Sequence, residues 1–170
     1  MSMLTVIGID PGTRKMGYGV VVGEGEALSF AECGVLEAPS SLEIQDRLSK
    51  IYSQLLTVLE RCKPSEMAVE SPFVAKNVQS AMAVGEARAV AMLAAAQRGI
   101  RVYQYTPSTV KQSVTDYGAS TKEQVQEMVR MLLNLEQSNY PLDASDAMAV
   151  AVCHLLQSRL KRLVETQGSR

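Results

Sequence analysis

This 170-residue chain has no tryptophan, one histidine, two phenylalanines and three cysteines. Because Cys33, Cys62 and Cys153 are far apart and odd in number, the sequence indicates neither a disulfide framework nor a zinc site. No apolar run approaches the ~20 residues that a membrane-spanning helix needs. The first residues, MSMLTVIGIDPGT, lack the basic segment of a signal peptide. We therefore expect a cytoplasmic protein with no membrane contact.

The chain also lacks the basic excess of a general nucleic-acid coat protein, since its formal net charge is −1. That charge is unevenly distributed. Residues 1–74 carry six Lys and Arg against ten Asp and Glu, whereas residues 75–170 carry eleven against eight. An acidic first part suits a site that holds cations, and the later part has room for a basic patch.

The order of the predicted elements indicates the fold class. Strands are predicted over 4–9, 16–22, 27–36, 67–69 and 100–105, and helices over about 39–62, 75–98, from 106, from a capping box at 120–123, and over 143–163. Early meander strands followed by alternating elements predict an α/β protein with a five-stranded mixed sheet and helices on both faces. We expect one domain over 1–164 and a frayed, disordered tail over 165–170.

The helix predicted over 75–98 is apolar on nearly every side, because alanine, valine, methionine and leucine dominate it. A helix of this kind is usually buried on both faces. One face can pack on the sheet, and the other can meet the same helix of a second subunit in a two-fold dimer. Deep burial inside a single domain is the alternative.

Two carboxylates end apolar strands. Asp10 follows Leu4–Ile9, and Glu70 follows Met67–Val69. Ligand sites gather at the carboxyl ends of strands in open α/β sheets, and two acids at one edge repel unless a cation or a proton intervenes. A simple turn at Asp10-Pro11-Gly12 is the alternative for Asp10. Glu70 has no comparable alternative after so short a buried strand.

Asp143 and Asp146 are spaced i, i+3, which places both on one face of the last helix. They also fit plain helix capping, with Asp143 as N-cap and Asp146 as an acid in the first turn. Four carboxylates without a His or Cys cluster suit Mg²⁺ or Mn²⁺ rather than zinc. Two such ions per site can activate water and stabilise the leaving oxygen in phosphodiester hydrolysis, which is nuclease chemistry.

Five motifs together resemble the RuvC family of Holliday junction resolvases. They are GIDPGTRKMGYGV from Gly8, AVE ending at Glu70, FVAKN from Phe73, VKQ around Lys111 and DASDAMA from Asp143. The resemblance runs from about residue 4 to residue 156 and keeps the order and spacing of the acids. It implies a ribonuclease-H-like fold. It also implies a homodimer that resolves four-way DNA junctions by symmetric, metal-dependent nicks, and a branch-migration helicase as a partner.

The resemblance also assigns residues. The acids Asp10, Glu70, Asp143 and Asp146 match the family's catalytic and metal-binding quartet. The matches for DNA binding are Phe73, Lys76, Asn77, Arg88, Lys111 and Lys122. Phe73 is expected against a base near the crossover, and Lys111 and Lys122 near the scissile phosphate or the backbone. The sequence departs from the family pattern at two places. Ser71-Pro72 stands where relatives commonly have other residues before the aromatic, and Asp116-Tyr117 stands where smaller and less acidic residues are expected.

Alternatives remain open for these residues and for the function. Phe73 fits an ordinary core position, and Lys111 and Lys122 fit solvated helix positions, although Lys122 opposes the helix dipole and calls for an anionic partner. His154 lies in an apolar run and is expected in the core. Other functions are an RNA-processing nuclease of the YqgF type, an actin-like ATPase, for which 170 residues are too few, and a junction-binding protein that does not cut.

Overall fold

The computed structural model describes residues 3–71, 77–136 and 140–168, with side chains described up to residue 165. The elements follow one another as β1 (Leu4–Asp10), β2 (Lys15–Glu24), β3 (Ala27–Glu37), α1 (Ile44–Cys62), β4 (Glu66–Glu70), α2 (Val78–Ala96), β5 (Arg101–Tyr105), α3 (Pro107–Thr115), α4 (Lys122–Leu132) and α5 (Leu142–Gly168).

The five strands form one mixed sheet in the order β3-β2-β1-β4-β5. β1 and β2, and β2 and β3, pair antiparallel, while β4 runs parallel to both β1 and β5. The predicted five-stranded mixed sheet is therefore confirmed. β1 lies at the centre of the sheet with β4 beside it, which agrees with the lack of polar alternation in both strands.

Helices cover both faces of the sheet, as predicted. On one face, α1 and α2 pack against strand residues such as Ile7, Ile9 and Met67. On the other, α3, α4 and α5 pack against Val6, Val21 and Ala68. His154 of α5 is buried as expected, 1% exposed, with its ring hydrogen-bonded to Tyr105 and Glu66.

Helix ends differ from the sequence predictions at several places, and α1 begins at Ile44 rather than near residue 39. The capping box of α4 uses Thr121 and Gln124, one residue later than the predicted Ser120 and Glu123, and Ser120 is buried instead. α2 begins at Val78 rather than residue 75. α5 continues to Gly168, beyond the predicted end at 163 and into the predicted tail, because no proline interrupts the sequence before that glycine.

No helix among the described ranges is long and apolar enough to cross a membrane.

Candidate active site

The parallel pairing of β1 and β4 brings two acids to one edge of the sheet. Ile9 is opposite Val69 in the register, so the next residues, Asp10 and Glu70, lie side by side at the carboxyl ends of neighbouring strands. Both side chains are partly buried. This is the edge at which the sequence placed a ligand site.

The other two acids reach the same edge on the first turns of α5. The helix begins at Leu142, and Ser145 N donates to Pro141 O at 3.0 Å. Asp143 therefore lies inside the first turn and is not the N-cap, and Asp146 lies beyond that turn. The alternative of Asp143 as an N-cap is wrong, because the helix starts directly after Pro141 rather than at the aspartate.

Glycines let α5 lie directly on the backbone of β1 and β2. A Cβ added at Gly17, which pairs with Asp10, would overlap the backbone oxygen of Asp143, and one at Gly8 would stand 2.7 Å from Ala151 N. At Gly19 it would stand 2.8 Å from Met148 N. The missing side chains thus set how closely Asp143 and Asp146 approach Asp10. From the sequence alone these glycines were not recognised as contacts of α5.

The electrostatics of Asp10 show that the acids converge. Burial, followed in order of effect by the negative charges of Glu70, Asp146 and Asp143, raises the pKa of Asp10 to about 7. Burial and Asp146 also raise the pKa of Glu70. The neighbouring carboxylates therefore make the ionisation of Asp10 and Glu70 less favourable, which is the condition that a bound cation relieves.

Two lysines border the acids. Lys122, the first residue of α4, forms an ion pair with Asp146 at 2.5 Å, and this contact raises the pKa of Lys122. The positive charges of Lys122 and Lys111 lower the pKa of Glu70 against the effect of burial. In this arrangement Asp146 is the anionic partner that the position of Lys122 in the first helical turn called for.

A pocket of about 230 Å³ opens between these groups. It is lined by Glu70, Pro107, Val110, Lys111, Lys122, Val125, Asp146 and Ala149. A lining that holds both lysine and carboxylate side chains suits a phosphate group and the cations that accompany it.

Four carboxylates provide the type of oxygen ligand that a divalent cation such as Mg²⁺ prefers. Their side chains are not arranged as a finished metal centre: within the described residues no three Asp, Glu, His or Cys side chains are grouped so that they could hold one ion. Sharing an ion requires the carboxylates to turn toward one another and Lys122 to release Asp146. The backbone positions already bring all four to one edge.

The raised pKa of Asp10 predicts how stability depends on pH when metal is removed with EDTA. Since the pKa is about 7 in the folded chain and near 3.8 without perturbation, folding favours the protonated form. This contribution to the free energy of unfolding is present below about pH 4 and is lost as the pH rises toward 7. Urea unfolding measures the free energy of unfolding at pH 5 and at pH 8. We expect it to fall between these pH values in the wild type and to fall less in Asp10→Asn. Equal losses in the two proteins would contradict the assignment to Asp10.

The remaining residues matched to DNA binding have different positions. Asn77 caps α2, its side chain accepting from Gln79 N at 2.9 Å. Arg88 donates to Ser71 Oγ, directly after Glu70 and its strand, and to Gln104 Oε1 at 3.2 Å. The predictions for Phe73 and Lys76 lie outside the described residues. No sequence signal indicated that Arg88 ties α2 to the residue after Glu70.

Comparisons with known proteins agree with this architecture. The family model for crossover junction endodeoxyribonuclease RuvC matches residues 6–154. Relatives of that name include those of Dehalococcoides mccartyi, 48% identical over 89% of this chain and 92% of the relative, and Thermotoga maritima, 44% identical over 96% and 97%. The structure of Thermus thermophilus RuvC with a Holliday junction substrate superposes with a TM-score of 0.87 at 33% identity, covering 93% of this chain and 96% of that one.

The fold and the acidic edge define a ribonuclease-H-like α/β protein, as predicted. The chain belongs to the RuvC family. A yeast mitochondrial resolvase, Ydc2, shares the fold with a TM-score of 0.64 at 15% identity.

Proposed function

We propose that this protein is an endonuclease that resolves four-way DNA junctions by hydrolysing a phosphodiester in each of two strands of like polarity. The observation that carries the proposal is the convergence of Asp10, Glu70, Asp143 and Asp146 at one sheet edge. The relatives at 44–48% identity are named crossover junction endodeoxyribonucleases, and one related structure is described with a Holliday junction.

The four acids are proposed to hold Mg²⁺, with Mn²⁺ as a substitute and two ions per site. Bound there, the ions would supply an activated water and charge neutralisation at the scissile phosphate. Asp10 and Glu70 contribute ligands from the rigid strand ends, and Asp143 and Asp146 contribute theirs from α5. Ions would also offset the burial and the repulsion that together raise the pKa of Asp10 to about 7.

The lysines are proposed to act on the DNA. Lys111 and Lys122 line the pocket with Glu70 and Asp146, so a phosphate that enters it meets both cations. Lys122 can exchange its contact with Asp146 for one with the phosphate, which frees Asp146 to bind metal. Phosphate contacts of this kind position the backbone and carry no sequence information.

The proposal is tested by offering four-way junctions, linear duplex and structured RNA of similar length with Mg²⁺. We expect paired nicks at the junction and little cutting of the other substrates. Preferential cutting of RNA would favour the YqgF-type alternative. Tight junction binding without cleavage in Mg²⁺ or Mn²⁺ would favour the alternative of a binding protein that does not cut.

A homodimer is the second part of the proposal, and α2 supports it. Its buried residues, Ala87, Ala91, Ala94 and Ala95, occupy one face. Val78, Met82 and Leu93 lie on the outward side and are 74%, 60% and 53% exposed. Deep burial of this helix within one chain is therefore wrong. A two-fold contact through the exposed stripe would cover it and would match a junction with two equivalent strands.

Met82→Glu is expected to convert the dimer into a monomer, because it places a charge in an apolar two-fold contact. Met131→Glu is the matched control, since Met131 of α4 is 61% exposed but lies away from α2. Light scattering coupled to size-exclusion chromatography gives both masses. A Met82→Glu protein that keeps the mass of a dimer would contradict the proposed interface.

The location and the further partner follow from the substrate and from the family resemblance. An enzyme that acts on recombining bacterial DNA works in the cytoplasm. A branch-migration helicase is proposed as the partner that supplies and moves the junction.

A further inference from the structure

Tyr117 differs from the other tyrosines of the chain. Tyr18, Tyr52, Tyr103 and Tyr105 donate hydrogen bonds through their hydroxyls, and the ring of Tyr140 contacts Phe30. All six tyrosines belong to the described residues, and Tyr117 alone among them has a side chain with no hydrogen bond or ring contact there. It is 65% exposed, and no other aromatic side chain in the described ranges is among the exposed large hydrophobic residues.

The backbone of Tyr117 is nevertheless fixed. Its N–H donates to Thr115 Oγ1 at 3.3 Å, and its carbonyl accepts from Ser120 Oγ at 2.7 Å, Ser120 N at 3.1 Å and Thr115 Oγ1 at 3.0 Å. Ser120 is only 4% exposed, so its hydrogen bonds to the Tyr117 carbonyl are partly shielded from water. An exposed aromatic ring on a rigid loop loses little conformational entropy when it binds.

The loop between α3 and α4 turns back along α3. Asp116 ends α3 in the left-handed conformation, with φ of 60°, and reverses the chain. A Cβ added at Gly118 would stand 3.4 Å from Ser108 Oγ and 3.8 Å from Gln112 Oε1, so this part of the loop lies against α3. The same loop then leads into Lys122.

Tyr117 therefore lies in the loop that joins the helices of Lys111 and Lys122, the two lysines that line the pocket. A single exposed hydrophobic residue is ordinary on a protein surface. Here the ring stands on a loop between two helices that each supply a lysine to the pocket, its backbone is held on both sides, and within the described residues its side chain makes no hydrogen bond or ring contact. Aromatic rings beside cationic grooves bind nucleic-acid bases by stacking.

We propose that the ring of Tyr117 stacks on a nucleobase or sugar of the bound DNA beside the catalytic pocket. The inference rests on the proposed junction-resolving function and adds a contact by which unpaired or distorted DNA at the crossover would be preferred to regular duplex. Bases become accessible to stacking where the duplex is interrupted, as they are at the crossover.

The test compares Tyr117→Ala and Tyr117→Phe with the wild type. Affinity for a fluorescent four-way junction and for the matching duplex is measured by anisotropy in EDTA, which stops metal-dependent cleavage, over a series of salt concentrations. We expect Tyr117→Ala to weaken junction binding by about 5- to 150-fold, the range for loss of one stacked base. Tyr117→Phe should stay within about two-fold of the wild type, because it keeps the ring.

The salt dependence separates stacking from phosphate contact. Tyr117→Ala should leave the slope of log affinity against log salt unchanged, whereas Lys111→Ala should reduce its magnitude by about 0.9. Met131→Ala controls for a general surface effect, because Met131 of α4 is an apolar residue that is exposed to a similar degree. The melting temperature and the oligomeric state should be unchanged in both Tyr117 variants.

The inference would be overturned if the junction affinity of Tyr117→Ala stayed within two-fold of the wild type. It would also be overturned if Tyr117→Phe lost as much affinity as Tyr117→Ala, or if the substitutions changed the oligomeric state. These outcomes leave the proposed function intact if the wild type still prefers and cuts junctions. A wild type that shows no preference for the junction over duplex overturns both.

Discussion

Asp10→Asn is expected to lower the rate of junction cleavage by on the order of 10²- to 10³-fold or more while junction binding is retained. Asparagine keeps the shape of the side chain but removes the negative charge that the proposed metal site needs at this position. The negative charges of Glu70, Asp143 and Asp146 all raise the pKa of Asp10, so Asp10 interacts with each of the other three acids. Single-turnover cleavage and anisotropy measure the two effects separately.

Asp46→Asn is the control for this substitution, because Asp46 is an exposed acid in the first turn of α1. It should cleave like the wild type. Addition of Mg²⁺ should raise the melting temperature of the wild type and of Asp46→Asn more than that of Asp10→Asn, since only the first two keep the full set of donors. A cleavage rate in Asp10→Asn equal to that of the wild type would contradict the proposed mechanism.

Gly17→Ala is expected to damage both stability and activity. The new methyl group would meet the backbone oxygen of Asp143, which cannot move without displacing α5. Overpacking of this kind costs about 1–3 kcal/mol of the free energy of unfolding, and a shift of the acids by about 1 Å costs roughly 10²-fold in rate. Urea unfolding and cleavage kinetics test the two consequences.

Gly23→Ala is the matched control in the same strand, also facing α5. There the added methyl would stand 2.8 Å from Leu155 Cδ2, the end of a flexible side chain that can turn away. We expect stability and cleavage close to those of the wild type. If both variants unfold alike, the close approach at Gly17 is not what positions Asp143 and Asp146.

The strands and their acids were predictable because local pattern decides them. β1 and β4 are short apolar segments, each ending in a carboxylate, and parallel strands must bring such ends to one edge. The order of elements was sufficient to predict a mixed sheet with helices on both faces. Helix ends were less predictable: the choice between Ser120 and Thr121 as the cap of α4 depended on Ser120 being needed inside the preceding loop.

The role of Asp143 and Asp146 could not be decided from local pattern alone. Their spacing fits helix capping as well as ligation, and only the start of α5 at Leu142 excludes Asp143 as the cap. Lys122 is similar. Its position in a first helical turn called for an anion, but the sequence could not show that Asp146, far along the chain, is within 2.5 Å.

The order of residues along the chain was enough to predict the strands, the two acids at their ends and, through the motifs from Gly8 to Ala149, the family. How these parts meet depended on folding: the close approach of α5 at Gly17, the pKa of about 7 that burial and neighbouring charges give Asp10, the exposed stripe of α2 and the exposure of Tyr117. The physical reason is that composition and periodicity are properties of neighbouring residues, whereas proximity, burial and charge coupling arise between residues that only folding brings together.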